Sequence, residues 1–416
     1  MGCEMIQRNC DRLASSGVDL SIAGLKVSRH MMVCVSLVLI LSGTTPCLGQ
    51  GTIDVSGFQD SRHHWYDIAD EDKVIQPLPD QPTYTPTDIR EIADNILLYQ
   101  KSNGGWPKNY DMMAILNTRQ REAVEAVKGD SNTTFDNGST HSQVEYLARA
   151  YQETKDGRYR DACLRGLDFI LAAQYPNGGW PQFYPDSSGY RKYITFNDGA
   201  MTGVMTVLHQ IVENDSIFNF VDIARRQRVA RSFWKGVDCI LKCQVVQDGI
   251  LTAWGQQHDN IDFRPQDARN FEPASLSGRE SGQILLFLMD IGNPGEKVVA
   301  SVNSAVRWLV RSTIRGIRVD EVKAPIAHYK YRTTVDYDRV VVEDSQAPPI
   351  WARMYELGTN RPLFCNRDKK PVYSLAEVDR ERRAGYTWYS YVPAEVLAKY
   401  PEWQKQWSPN DNALSK

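Results

Sequence analysis

The sequence predicts an all-α fold: an irregular α/α toroid of three helix-hairpin repeats, with extra C-terminal loops and short strands. Three observations predict it. The pentapeptide Asn-Gly-Gly-Trp-Pro stands at residues 103–107 and again, letter for letter, at 177–181. Trp106, Trp180 and Trp254 follow one another at a period of 74 residues. Each Trp comes after a run of helical periodicity ending at or near Gln, and before a loop that leads to a second helix opened by Gly. Helix pairs at a fixed period mean one unit stacked on itself, because a single pair cannot bury its own apolar face.

Taken in order, residues 1–49 read as a secretory signal and leader. The apolar run at 31–43 follows Lys26, Arg29 and His30 and precedes small residues, the order of an export signal, and it is too short to span a bilayer. The mature chain is therefore expected to be secreted or periplasmic, with no membrane-spanning segment. Residues 50–85 read as an N-terminal extended segment, and residues 86–416 as the toroid domain. Its first helices are expected at 88–100, 159–174 and 227–244, and its second helices at 135–152, 196–212 and 275–292. Leu164, Leu167, Ile170 and Leu171 show the i, i+3, i+4 spacing of a core-facing stripe. Residues 295–317 supply another outer helix, 338–344 is the best strand, and the C-terminal third reads as loops and short elements covering one end of the ring.

The repeated pentapeptide is first a structural device: Asn-Gly-Gly supplies left-handed conformations that end a helix, and Pro stops it from resuming. Its functional reading places Trp180 at the ring mouth, stacked on a sugar. A net charge of −3 over 416 residues does not point to nucleic acid or an anionic membrane, so any positive charge for a polyanion must be local. Of eight cysteines, Cys163, Cys239, Cys243 and Cys365 lie beyond the leader; without a zinc spacing they read as small buried hydrophobes.

Two units carry an acid in the turn before the second helix, Asp136 in TTFDNGST and Asp198 in ITFNDGAM, where the third has Ser277. A short acid there can be an N-cap. Inner-helix starts also converge on the mouth of a toroid, where two carboxylates beside Asn137 and Asn197 would form an oxygen-only ligand set suited to calcium. The segment RPQDARNFEPASLSGRE brings Arg264, Asp267, Arg269 and Glu272 to the same mouth. Residues 347–393 carry Arg353, Arg361, Arg367, Lys369 and Lys370 among Tyr355, Phe364, Tyr373, Trp388 and Tyr389. Arginine grips carboxylates with two parallel bonds, and aromatic rings stack on sugar faces. The same mixture suits single-stranded nucleic acid, but the near-neutral charge and the leader argue against it.

The segments NGGWPQFYP, TFDNGST, TFNDGAMTGVM, ARNFEPASLSGRES and APPIWARMYELGTNRPLFCNRDKKPVY together resemble the family 10 polysaccharide lyases, the helical pectate lyases, over about residues 85–398. The resemblance implies an α/α toroid of three helical repeats that cleaves polygalacturonate by calcium-dependent anti β-elimination; separately, the chain is expected to be a monomer. It implies Asp136 and Asp198 as Ca2+ ligands and Arg269 as the base, with Arg279 a weaker candidate. Arg353 and Arg361 fall in the segment expected to hold substrate carboxylates, and Asn197, Trp180 and Tyr355 are expected to line the substrate. Two other readings use the same residues. A glycoside hydrolase would take Asp136 and Asp198 as its acid pair, and a non-catalytic pectin-binding protein would keep the aromatics without turnover. A Gln-x-x-x-Gly-x-Trp pattern at 100–106 and 174–180 also marks toroidal terpene cyclases, but their acidic protonation motif is missing.

Overall fold

The computed structural model describes residues 51–69, 73–329 and 332–415; the leader read at 1–49 lies outside them. The chain opens with α1 (Gln59–Asp67), and the three amphipathic runs become α2 (Ile89–Tyr99), α5 (Gly157–Ala173) and α7 (Ile223–Cys243). A short α3 (Thr118–Ala126) follows α2, and the expected second helices are α4 (His141–Thr154), α6 (Ala200–Val212) and α8 (Gly278–Asp290). Helix α9 (Glu296–Arg311) is the additional helix read at 295–317. α4 packs on α6 and α6 on α8, while α5, α7 and α9 back them in turn.

The repeated residues explain this stacking. All three tryptophans are fully buried. Their indole N–H groups donate to carbonyls of the preceding helix: Trp106 to Ile96 at 2.8 Å, Trp180 to Ile170 at 2.8 Å and Trp254 to Ile240 at 2.7 Å. A buried indole thus adds a large apolar surface while its single donor stays satisfied. The glutamines that end the same helices reach onward. Gln100 donates to Ala162 O at 2.9 Å, Gln174 to Ser232 O at 2.9 Å and Gln244 to Ser301 O at 3.1 Å, tying α2 to α5, α5 to α7 and α7 to α9.

The structure departs from the expectations at both ends. The segment at 50–85 is not simply extended, because α1 forms there on apolar anchors. Trp65 is fully buried and donates to Ile75 O at 2.8 Å, and the Ser61 hydroxyl donates to Tyr110 O at 3.0 Å. The C-terminal third holds more than loops and short elements. Beside a short α10 (Arg380–Gly385) it contains the 16-residue α11 (Val392–Trp407), which packs on α8 and α9. Pro393 lies in the first turn of α11, where a missing N–H is no loss. The strand read at 338–344 belongs to a long antiparallel hairpin, Ile317–Tyr329 with Arg332–Glu343. A small second core around Phe271, Met354, Phe364 and Trp388 supports this end. Cys163, Cys239, Cys243 and Cys365 are free and buried, as expected.

Candidate active site

Asp136 and Asp198 stand in single helical turns, Asp136–Gly138 and Asn197–Gly199, that pack against each other. Beside the left-handed Gly that closes each turn, the other left-handed residue is Asn137 (φ 52°) in one and Asp198 (φ 50°) in the other, a conformation that Asn and Asp tolerate best among non-glycine residues. Asp136 therefore matches Asn197, and Asp198 matches Asn137, so the two acids occupy successive positions of one motif. Neither carboxylate caps its helix. Ser277, in the third unit, does accept from the backbone N–H of Glu280.

Both acids open into a cleft of roughly 1260 Å³. Its charged lining is Lys108, Arg191, Arg269, Arg279, Arg353, Arg367 and Arg382 against Asp60, Asp136 and Asp198. Seven cations line the cleft with three carboxylates, and Glu272, Glu280 and Glu381, outside that lining, pair with four of those cations.

Arg353 ties the centre together. Its Nη2 donates to Asn197 Oδ1 at 2.6 Å, Glu280 Oε1 at 2.7 Å and Asp198 Oδ1 at 3.1 Å, and its guanidinium lies 4.4 Å from the centre of the Tyr386 ring. Burial works against its charge, but Glu280, Tyr386 and Asp198 outweigh it and raise its proton affinity well above the ordinary guanidinium value. Burial likewise opposes a charged Asp198, yet Arg353, Arg279 and Arg269 hold that carboxyl well below the usual carboxylate range. Next along the wall, Arg269 grips Glu272 through Nε at 2.7 Å and Nη2 at 2.5 Å, and the Tyr386 hydroxyl donates to Glu272 at 3.0 Å. Burial again opposes the charge, and Glu272 raises the Arg269 proton affinity well above its ordinary value. Free of substrate, Arg269 is thus a firmly charged guanidinium.

On the other wall, the Lys108 ammonium donates to Asp136 Oδ2 at 3.2 Å, while Asp136 Oδ1 is buried with no hydrogen-bond partner. Helix α1 adds Asp60 and His64 to the lining. The cleft walls and the charges of Asp198 and Asp136 push the Asp60 carboxyl up to about 7. Burial and Lys108 lower His64 to about 4. Among the described residues no three His, Cys, Asp or Glu side chains are grouped to hold a metal, so a cation here would rest on Asp136 and Asp198 with other oxygens completing its shell.

Residues 100–397 match the family model described as pectic acid lyase. The chain belongs to that family. Two solved structures are similar to the lyase over most of its length. One is an aspartate-to-alanine mutant of a family 10 polysaccharide lyase from Cellvibrio cellulosa in complex with trigalacturonic acid, at 28% identity and TM-score 0.64, covering 86% of this chain and 100% of the other. The second is the family 10 polysaccharide lyase from the same organism, at 28% identity and TM-score 0.63, covering 85% and 98%. A comparison with curated proteins returned no match.

In the lyase, Asp136, Asp198, Arg269 and Arg353 share one cleft, and Arg279 joins them with Nη1 3.7 Å from Asp198. Four other expectations need correction. Trp180 is fully buried in the repeat core, so its ring meets no sugar. Tyr355 is also buried, with its hydroxyl donating to Ser312 O at 2.7 Å. Arg361 is exposed away from the cleft lining, stacked 3.7 Å from the centre of the Tyr373 ring. Asn197 is a buried clamp: its Oδ1 accepts from Arg353 and Gln256, and its Nδ2 donates to Asp198 at 2.7 Å. Sequence reasoning passed over Lys108, Asp60, His64, Tyr386 and Arg382. The paired His63-His64 and the Arg382-Arg383 run were the available signals, and both look like ordinary solvated surface in one dimension.

Proposed function

We propose that the chain is a pectate lyase that cleaves α-1,4-linked polygalacturonate by calcium-dependent anti β-elimination, leaving 4,5-unsaturated oligogalacturonides. The basic lining carries this reading: seven Lys and Arg side chains border the space that a polyanionic chain would enter. The trigalacturonic acid complex of the similar Cellvibrio enzyme supports the same substrate class.

The C5 proton of a galacturonate is weakly acidic because the adjacent carboxylate discourages a second negative charge. Arg353, already fixed by Asn197, Glu280 and Asp198, is placed to hold that carboxylate and to stabilise the enolate-like charge with little reorganisation. Asp136 and Asp198 fit a hard cation. One buried oxygen of Asp136 has no donor, and both sites offer oxygen ligands only. Calcium, when bound there, would polarise the substrate carboxylate and offset the charge of Asp198. Arg269 is our candidate for removing the C5 proton. The Glu272 ion pair opposes that role by holding the guanidinium charged, so Arg269 must first lose a proton to solvent, and turnover should favour alkaline pH. Departure of O4 then leaves the unsaturated sugar. The packing of α4 on α6 and α6 on α8, backed by α5, α7 and α9, supports reading the fold as an α/α toroid with this cleft at its mouth. Export of the mature chain rests on the leader alone.

The test is the ultraviolet absorbance of a conjugated unsaturated uronate, followed on polygalacturonate at alkaline pH with calcium and then with chelator. Absorbance should rise only with the metal. New reducing ends without absorbance would replace elimination by hydrolysis.

A further inference from the structure

Helix α1 brings to the cleft a face that the elimination chemistry does not use. Gln59, Asp60, His63 and His64 all line the cleft, and their i, i+1, i+4, i+5 spacing puts them on one side of the helix. The rest of α1 is clamped. Trp65 is fully buried. The Ser61 hydroxyl donates to Tyr110 O at 3.0 Å and accepts from Tyr110 N–H at 3.1 Å. Asp111 holds both the Tyr66 hydroxyl, at 3.1 Å, and Arg62 Nε, at 3.3 Å. The polar face thus meets the cleft from a fixed backbone.

On that face Asp60 and His64 stand together, with His64 Nε2 3.8 Å from Asp60 Oδ1. This is too long for a hydrogen bond, and among the described residues Asp60 meets no cation more closely. Asp136 and Asp198, by contrast, are engaged by Lys108 and Arg353. Asp60 is therefore an acid in a basic cleft without a guanidinium to anchor it. Its charge repels a polyanion, so what it offers such a substrate is a hydrogen bond.

The chemistry of the sugar says which one. The polymer chain runs through C1 and C4 of each galacturonate, so one edge of the ring carries the C5 carboxylate and the opposite edge the hydroxyls of C2 and C3. Arg353 is tied to the Asn197–Gly199 turn, whereas α1 packs against the Asp136–Gly138 turn. A ring whose carboxylate is held at Arg353 turns its hydroxyl edge toward α1. Vicinal hydroxyls suit two polar groups this close together, because a hydroxyl both donates and accepts and so bonds to a carboxyl or an imidazole in either protonation state.

We propose that Asp60 and His64 bind the C2 and C3 hydroxyls of the galacturonate whose carboxylate Arg353 holds, and so make the enzyme reject polymer acetylated at those hydroxyls. The proposal rests on the pectate-lyase reading and adds a specificity to it. An acetyl group there removes the hydroxyl proton and adds bulk, and a site built to bind a hydroxyl discriminates strongly against an analogue that lacks it.

Asp60→Ala is the first variant, compared with wild type on polygalacturonate and on the same polymer partly acetylated at O2 and O3. The Asp60 side chain is 45% exposed, so its truncation leaves the fold intact. Loss of a negative charge would by itself tighten binding of a polyanion. The opposite is expected: KM rises about tenfold with kcat within about twofold, and the preference for unacetylated polymer shrinks by a similar factor. His64→Ala should move both quantities in the same direction. Asp60→Asn, which keeps a hydrogen-bonding oxygen, should stay within about threefold of wild type in KM. The calcium concentration giving half-maximal rate should be the same in every variant. An Asp60→Ala KM equal to or below that of wild type would overturn the hydroxyl site. A raised calcium requirement in Asp60→Ala and Asp60→Asn alike would also overturn it, by assigning Asp60 to the cation. A wild type that releases no unsaturated product would overturn the lyase reading itself.

Discussion

Arg353 shows how much of the site depends on one side chain. Its side chain is 3% exposed and stands between Glu280, which is fully buried, and Asp198. Removing the guanidinium would strand two acids in a poorly solvated wall, and breaking a buried ion pair from one side is far worse than never having built it. Arg353→Met is expected to lower stability by about 3–5 kcal/mol in urea unfolding and kcat on polygalacturonate by about two orders of magnitude or more. Stability equal to wild type would mean that Asp198 and Glu280 do not depend on this residue. Residues of this kind could be named from the sequence only in part. Arg353 and Arg361 lie eight positions apart in one segment, and residue type alone could not separate them. One turned inward to Asp198, and the other stayed on the surface over Tyr373.

At the scale of elements, the repeated pentapeptide proves to be a packing device. Gly178 has φ 99°, and a Cβ there would meet Lys235 O of α7 at 2.1 Å; Gly104 has φ 96° and would meet Arg165 O of α5 at 2.6 Å. The turn can press against the next outer helix because nothing projects from it. Gly178→Ala is therefore expected to lower the unfolding free energy by more than about 2 kcal/mol, combining left-handed strain with a backbone clash. Activity per folded molecule should be retained at low temperature, and an unchanged unfolding midpoint would show that the turn has room to move. The helices themselves were legible, because amphipathic periodicity and a closing Gln are local signals. Helices α1 and α11 were not. α1 is polar along most of its length and is held by Trp65 and Ser61 through contacts with distant backbone, and α11 carries Pro393 and Pro401.

Across the whole molecule, buried histidines set the acid limit of stability. His258 is fully buried; its Nε2 accepts from Gly255 N–H at 2.9 Å, and its other nitrogen meets Phe263 O at 2.8 Å. The ring is thus required neutral, and burial lowers it from 6.5 to about 4. His141 is lowered to about 4 by burial as well. In the unfolded chain these rings take up protons near pH 6.5, while in the folded chain they resist until about pH 4. Their contribution is therefore complete above about pH 6.5 and is lost as pH falls from there to about 4, by roughly 3 kcal/mol for His258. The Tm should drop between about pH 7 and about pH 4.5, and His258→Asn should flatten that slope; a slope unchanged by the substitution would assign the acid loss to other groups.

The sequence by itself determined the repeated pattern: its period, the helices it pairs, the turns that punctuate it and the two acids in the turns before its second helices. Those features follow from backbone geometry over a few residues, which a linear pattern records. The tertiary structure alone decided which charged side chains meet. Asp198 and Arg353 are 155 residues apart, and Arg367 and Arg382 line the cleft in contact with Phe271 and Glu381. An arginine is long enough to face solvent or a neighbour from the same backbone position. Packing against distant elements chooses between them, and that choice made the wall of the cleft.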